Sequence, residues 1–201
     1  WRIYFFVNVG PRLASSIPET RKTFDEYLNE PNDLSFNFRN ITEEIIYLTL
    51  SKLKSKCSVG KDNISMKLLK DIMPVIIKPI LHLFNTSLET GFIPESYKCA
   101  KVIPVHKSGA TDKFDNYRPI SILPALSKLL EKIVAYQMIR FLETQNILYT
   151  HQYGFRNHRD TIQPLIHLMH KVFEGLNKTT SEYTLSIFLD LRKAFDTCNI
   201  D

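Results

Sequence analysis

The stretch Ser186-Ile-Phe-Leu-Asp190-Leu-Arg-Lys-Ala-Phe195-Asp-Thr197 decides the fold prediction for this chain. It ends a β-rich run on the carboxylate of Asp190 and places an aromatic ring, Phe195, five positions later. Phosphoryl transfer requires divalent cations that offset charge on the phosphate oxygens, and the hard ion Mg²⁺ is held by rigidly presented carboxylates. The pattern therefore indicates Asp190 as a magnesium ligand.

The residues before this motif predict alternating strands and helices. Tyr183–Asp190 alternates in polarity as a strand does, and a helix is expected at about 161–176. Pro124 is suited to the first position of a long helix that runs to about Gln145. Two short apolar runs at about 100–105 and 117–123 predict strands joined by a basic loop.

Further towards the N-terminus the pattern is helical. Thr42 is a candidate N-cap, and Gly91 is suited to the C-terminal end of a helix. Residues 64–90 are predicted to be helical, with Pro74 and Pro79 marking a break or a helix start. A short helix is predicted over 19–29. The apolar residues of 64–90 predict one buried stripe, with the members Val75, Ile76, Ile80, Leu83, Phe84 and Leu88.

Charge favours an anionic partner. The 201 residues carry a formal net charge of +5 with a pI near 9.0. The region 52–70 has six Lys and one Asp, and the region 98–132 has seven Lys or Arg against three acids. The alternative for either run is a solvated face without a ligand.

Other compositional features exclude several classes of protein. Three widely spaced cysteines predict neither a disulfide framework nor a zinc knuckle, which favours a reducing, intracellular setting. The most apolar window, 73–84, is interrupted by prolines, Lys78 and His82, so we expect no membrane-spanning helix and see no signal peptide. A start at Trp1 and an end shortly after the carboxylate motif read as a fragment.

Several segments, in the same order along the chain, resemble the reverse transcriptase of non-LTR retrotransposons, the jockey-like mobile elements most closely. The matching segments are Lys101-Val-Ile-Pro-Val-His-Lys107, Asn116-Tyr-Arg-Pro-Ile-Ser-Ile-Leu-Pro124, Lys128-Leu-Leu-Glu-Lys132, His151-Gln-Tyr-Gly-Phe-Arg156 and Phe188-Leu-Asp-Leu-Arg-Lys-Ala-Phe-Asp196. Residues 5–10 and 13–18 also resemble the segment that precedes the polymerase domain in that family. The resemblance therefore covers nearly the whole chain.

The resemblance implies roles around the metal. Asp190 is implied to be the catalytic aspartate that binds both Mg²⁺ ions of the complete enzyme, and the carbonyl of Leu191 is implied to help hold one of them. Phe195 matches the steric gate that excludes a 2′-hydroxyl and so selects deoxynucleotides. The alternative for Phe195 is an ordinary core aromatic.

The resemblance also implies residues that bind the nucleotide and the template. Lys107 and Arg118 match the fingers residues that hold the incoming triphosphate, for which a point charge and a bidentate fork are suited. Gln152, Gly154 and Arg156 match the template and nucleotide-binding loop. Lys107 is alternatively a solvated loop charge, and Arg118, within an apolar strand, is expected to need a partner.

Three departures from the family pattern stand out. A Pro-Gly-Pro-Asp-Gly-like turn is replaced by Val59-Gly-Lys-Asp-Asn63, Asp160 stands where the family usually has Ser, and residues 198–200 differ from the usual Val-Asp-His. The family's second carboxylate motif is expected beyond Asp201, so we expect this polypeptide alone not to polymerise.

Together these features predict an α+β fold: the fingers and the beginning of the palm of a right-hand polymerase, truncated. Residues 1–40 are expected to be a linker segment and 41–201 an incomplete reverse transcriptase domain. The implied partners are an RNA template, a DNA primer and deoxynucleoside triphosphates, with target-primed synthesis in the nucleus. The sequence does not predict an oligomeric state. The alternatives are an inactive RNA/DNA-binding remnant of such an enzyme, or a basic helical interaction module.

Overall fold

The computed structural model describes residues 34–177 and 183–190. The chain divides after Gln145 into two compact units. The first unit contains the described residues 34–145, and the second contains the described residues 146–177 and 183–190. Of the described helices, none combines the length and the apolar character that crossing a membrane would require.

Among the described residues, the first unit consists of helices and a two-stranded antiparallel sheet, and the second unit has one α-helix. The elements of the first unit, in chain order, are α1 (Glu43–Lys52), α2 (Met66–Thr90), α3 (Glu95–Lys98), β1 (Lys101–His106), a 3-10 helix (Phe114–Asn116), β2 (Tyr117–Ile122) and α4 (Ala125–Thr144). The helix of the second unit is α5 (Ile162–Leu176), of which no residue is buried. A mixed helical and small-sheet composition agrees with the predicted α+β class.

The hydrophobic core of the first unit lies where α1, α2 and α4 meet. Ile46 from α1, Met73 and Phe84 from α2, and Leu129 and Ile133 from α4 are among its fully buried side chains. The buried residues of α2 recur every three or four positions, which places them on one face of that helix. Burial of a side chain of this size contributes about 1.5–3 kcal/mol to folding.

Local sequence signals fix the helix ends. The Thr42 hydroxyl accepts a hydrogen bond from the Ile45 N–H, and the Ser65 hydroxyl accepts one from the Leu68 N–H. Gly91 ends α2 with a left-handed φ of 70°, which glycine adopts at little cost. The helix predicted to begin at Pro124 is confirmed but begins one residue later, at Ala125, with Pro124 as its N-cap and Gln145 as its C-cap.

The predicted break in the helix at Pro74 or Pro79 is wrong, because α2 is one continuous helix of 25 residues. Both prolines are exposed, so the carbonyls that lose their N–H partners are on the solvent side. Val75, predicted in the buried stripe, is 84% exposed. The continuous apolar face that packs into the core keeps α2 helical despite its prolines.

The predicted strand at Tyr183–Asp190 is also wrong: these residues have no regular secondary structure and are all exposed. A strand requires a neighbour that takes its N–H and C=O groups, and within 34–177 and 183–190 the strands β1 and β2 pair only with each other. The helix predicted over 19–29 lies outside the described residues.

The connection between α1 and α2 is held against the start of α4. The Lys70 ammonium group donates to the Leu53 carbonyl, and Val59 bridges to Ser65. Gly60 is buried so closely against the backbone that an added Cβ would lie 2.9 Å from the Leu123 oxygen and from the Pro124 nitrogen. Because Gly60 has no side chain, these two backbone segments can touch.

Replacing Gly60 with Ala should destabilise the first unit by about 1–3 kcal/mol, because the backbone atoms it meets cannot rotate away as a side chain does. Urea unfolding of the purified chain measures this difference. Ser58→Ala, at an exposed position of the same connection, serves as the control and should change the free energy of unfolding little. Wild-type stability in Gly60→Ala would contradict the described contact.

Candidate functional site

The β1–β2 hairpin places its basic residues on one face. Val105 pairs with Arg118 and His106 with Tyr117, and the Lys107 N–H donates to the Asn116 carbonyl at 2.8 Å. Because side chains alternate along a strand, Lys107 and Arg118 lie on the same face, as diagonal neighbours about 7–8 Å apart. Lys101 lies on the same face, at the opposite end of the hairpin.

This face, which we call the basic hairpin face, is open to solvent. Lys101, Lys107 and Arg118 are exposed. Between them the apolar side chains of Ile103 and Val105 are exposed by 39% and 48%. The expectation that Arg118 needs a partner is wrong, because an exposed guanidinium remains hydrated. Cations arranged around an open apolar surface are suited to a ligand that is anionic and partly flat.

Side chains at the hairpin ends hold the loop between the strands. The Asn116 amide donates to the Ala110 carbonyl at 2.7 Å, the Tyr117 hydroxyl donates to the Thr111 carbonyl at 2.9 Å, and a ring nitrogen of His106 lies 3.0 Å from the Gly109 oxygen. Gly109 itself has a φ of 83°, the left-handed region that favours glycine. These contacts fix the backbone next to Lys107.

The segment with Gln152, Gly154 and Arg156 forms a turn in the second unit. The Arg156 guanidinium donates to the Tyr149 carbonyl at 2.9 Å, and the Gln152 amide lies 3.4 Å from the Gly154 oxygen. His151 packs on His167 of α5, with ring centroids 4.6 Å apart. The half-buried Arg156 thus supports the turn and the contact with α5 fixes the segment.

Phe155 lies in the same segment, and the sequence predicts no separate role for it. Its side chain is 94% exposed and its φ is 62°, a conformation that bulky residues seldom adopt. An exposed aromatic ring in a strained turn is a candidate surface for stacking on a base. The only signal in the sequence is its position after Gly154, which did not distinguish it from its neighbours.

Asp160, the departure from the family pattern, has a structural partner. Its carboxylate accepts hydrogen bonds from the N–H groups of Ile162 and Gln163, both at 2.9 Å. These are N–H groups of the first turn of α5, which have no partner inside the helix. The acid therefore caps α5 and complements the positive end of the helix dipole.

The predicted metal residues are only partly within the described chain. Asp190 is exposed, whereas Leu191 and Phe195 lie outside the described residues. In the ranges 34–177 and 183–190, no three His, Cys, Asp or Glu side chains are grouped so that they could hold a metal ion. An exposed carboxylate offers the oxygen ligands that Mg²⁺ prefers, and Asp190 has this chemistry by itself.

Comparison with known proteins gives a consistent result. Residues 105–201 match the family model described as reverse transcriptase (RNA-dependent DNA polymerase). The chain is 28% identical over 173 residues to the RNA-directed DNA polymerase from mobile element jockey of Drosophila melanogaster, a match that covers 86% of this chain and 19% of that protein.

Two further relatives come from the same fly. The chain is 33% identical over 187 residues to the probable RNA-directed DNA polymerase from transposon X-element, covering 92% of this chain and 20% of that protein. It is 30% identical over 177 residues to the probable RNA-directed DNA polymerase from transposon BS, a match that covers 88% of this chain and 19% of that protein. The chain thus spans about a fifth of the length of the curated relatives it matches.

Replacing Asp160 with Ala should destabilise α5 by about 0.5–2 kcal/mol, since two N–H groups lose their acceptor. Amide hydrogen exchange of the first turn of α5 measures the effect. Asp160→Ser keeps a capping oxygen and should retain most of the protection. Equal exchange in the wild type and in Asp160→Ala would contradict the capping role.

Proposed function

This chain belongs to the reverse transcriptase family, and we propose that it supplies the nucleotide-binding part of an RNA-directed DNA polymerase. The proposed reaction is template-dependent nucleotidyl transfer to a DNA 3′-end. The proposed partners are an RNA template, a DNA primer and deoxynucleoside triphosphates, and the proposed place of target-primed synthesis is the nucleus. The right-hand arrangement of fingers and palm is part of this proposal.

The observation that carries the proposal is the basic hairpin face. Lys107 and Arg118 are exposed diagonal neighbours on it. The guanidinium group can bind two phosphate oxygens in a bidentate manner, while the ammonium group follows the phosphates as a flexible point charge. A triphosphate presents both kinds of target. These two cations would orient the phosphates and offset their charge as the leaving group forms.

The apolar residues of the same face supply a second contribution. Ile103, Val105 and Ile120 separate the cations and are partly exposed. A nucleotide has a flat apolar base next to its charged phosphates, so one face with both properties can contact both parts. The alternative for this basic stretch is a solvated lysine face without a ligand. Such a face would not need three exposed aliphatic side chains beside its cations.

Asp190 is proposed as the metal ligand, with the Leu191 carbonyl beside it and Phe195 as the steric gate against a 2′-hydroxyl. When bound, two Mg²⁺ ions would neutralise charge on the attacking and leaving oxygens. One exposed carboxylate fits a hard cation but leaves most of its coordination positions to water and to other ligands. Gln152, Gly154 and Arg156 are proposed to form the support for the template, with Phe155 as its exposed ring.

Lys107→Ala and Arg118→Ala should each weaken binding of a deoxynucleoside triphosphate about tenfold or more, because a hydrogen bond to a charged group is worth about 1.5–3 kcal/mol. Titration of a fluorescent deoxynucleoside triphosphate, with Mg²⁺ and an RNA–DNA hybrid present, measures the affinity. Arg118→Lys keeps the positive charge but loses the bidentate guanidinium group, so its affinity for the triphosphate should lie between those of the wild type and Arg118→Ala. Lys78→Ala, an exposed cation on α2, is the matched control.

Wild-type affinity in both Lys107→Ala and Arg118→Ala would contradict the proposed triphosphate site. It would favour the second candidate, a remnant that binds an RNA–DNA hybrid only through its basic surface. That remnant would still show a steep decrease of hybrid affinity with salt, since phosphate contacts release counterions.

The 201-residue chain alone should give no template-dependent product in a primer-extension assay with Mg²⁺, because Asp190 supplies too few ligands for two metals. Hybrid binding in the same samples serves as the control for folded protein. An extended primer would overturn this expectation.

A further inference from the structure

We propose that a cleft in the first unit, away from the basic hairpin face, binds a base of single-stranded nucleic acid together with its phosphate. The cleft has a volume of about 500 Å³ and lies between residues 35–39 and α4. Its aromatic and cationic lining residues are Phe36, Phe38, Arg39, Tyr136, Arg140 and Phe141. The inference rests on the proposed function, since a template is read as a single strand.

The wall of the cleft is preformed. The side-chain amide of Gln137 on α4 accepts from the Arg39 N–H at 2.8 Å and donates to the Arg39 carbonyl at 3.0 Å. Asn85 on α2 makes the same pair of bonds with the backbone of Ile41, at 2.7 and 3.0 Å. Two side-chain amides thus hold this irregular segment as a neighbouring strand would. A ligand therefore need not order the wall.

The interior of the cleft is aromatic. Phe36 contacts Phe141 with ring centroids 5.2 Å apart and meets Phe38 edge to face at 4.8 Å. Phe38 is 40% exposed and Tyr136 is 52% exposed, so both retain accessible ring surface. Every nucleic-acid base has a π-face that can stack on such rings, whatever its sequence. The cleft therefore offers flat, apolar surface for a base.

The edge of the cleft is cationic. Arg39 and Arg140 are exposed, and the ion pairs among the described residues involve neither guanidinium. The twelve lining residues include no Asp or Glu. The Lys52 ammonium group lies 5.8 Å from the centroid of the Tyr136 ring and adds a third cation nearby. Charge complementarity thus selects an anionic ligand, and the rings select one that carries a planar group.

An unpaired nucleotide combines these properties, whereas a duplex does not offer its stacked base faces to a cleft. Stacking would hold the base, and the two guanidinium groups would hold the adjacent phosphates. The lysines of the α1–α2 connection begin at Lys52, beside Tyr136, so the backbone of a longer strand would continue over more positive charge.

Two strands of about ten nucleotides test the stacking, one with bases and one with the same sugar-phosphate backbone without bases. Fluorescence anisotropy on the full 201-residue chain measures both affinities. Phe38→Ala should weaken binding of the strand with bases about five- to a hundredfold and leave the abasic strand unchanged. Phe38→Trp should retain the preference. Phe92→Ala, at a 66% exposed aromatic outside the cleft, is the matched control and should change neither affinity.

Arg140→Ala tests the phosphate contact. It should weaken binding of both strands by the same factor. It should also reduce the slope of log affinity against log salt concentration by about 0.7, the value for one phosphate contact on a single strand. Arg140→Lys should retain most of this salt dependence, and Lys78→Ala should leave the slope unchanged. Matching unfolding midpoints of the variants and the wild type show that the cleft is intact.

Equal affinity of the wild type for both strands, or an unchanged preference in Phe38→Ala, overturns the inference. If Phe38→Ala has no effect while Lys107→Ala and Arg118→Ala lose triphosphate binding, the cleft proposal fails and the proposed function stands. If the chain binds neither triphosphate nor strand, both fail.

Discussion

The packing of α4 against α1 and α2 is the constraint on which the rest of the first unit depends. Leu129 and Ile133 of α4 are fully buried against the other two helices. Only Leu123 and Pro124 separate β2 from α4, and Gly60 touches the backbone of both. The packing of α4 therefore also holds one end of the hairpin in place. The pairing of β2 with β1 then fixes the backbone positions of Arg118 and Lys107. The basic hairpin face is thus held in place by the apolar core, although none of its own side chains is buried in that core.

The same core also supports the aromatic cleft. Gln137 follows Ile133 by one turn on α4, and it binds the backbone of Arg39. Asn85 follows Phe84 directly on α2, and it binds the backbone of Ile41. Each amide is thus placed by a buried neighbour in its own helix. The aromatic cleft is consequently supported by α2 and α4, whose buried residues belong to the hydrophobic core, which is how rigid sites are usually supported.

Much of the first unit could be predicted from local sequence signals. Thr42, Gly91 and Pro124 mark helix ends through their own hydrogen bonding or backbone preference, and the structure agrees at each. Features that depend on tertiary packing were missed. The core keeps α2 continuous through Pro74 and Pro79, and the strand expected to end at Asp190 has no partner among the described residues. In each of these failures, distant contacts decide the backbone.

The candidate site was predictable to a similar degree. The resemblance implied Lys107 and Arg118, and the observed register places them on one face, which spacing alone only allows. The exposure of Phe155 and the capping role of Asp160 depend on backbone geometry that has no simple sequence pattern. The roles of Asp190, Leu191 and Phe195 remain predictions that rest on the resemblance. The aromatic cleft was not anticipated, because its members lie about a hundred residues apart in the sequence.

Covalent mapping can show whether the basic hairpin face binds the incoming nucleotide. A photoreactive azido-deoxynucleoside triphosphate would be bound to the chain with Mg²⁺ and an RNA–DNA hybrid, irradiated, and the labelled peptides identified by mass spectrometry. We expect the adducts on β1, β2 and the loop between them, with competition by an unlabelled deoxynucleoside triphosphate. Adducts that avoid this hairpin, or that unlabelled nucleotide does not displace, would contradict the claim.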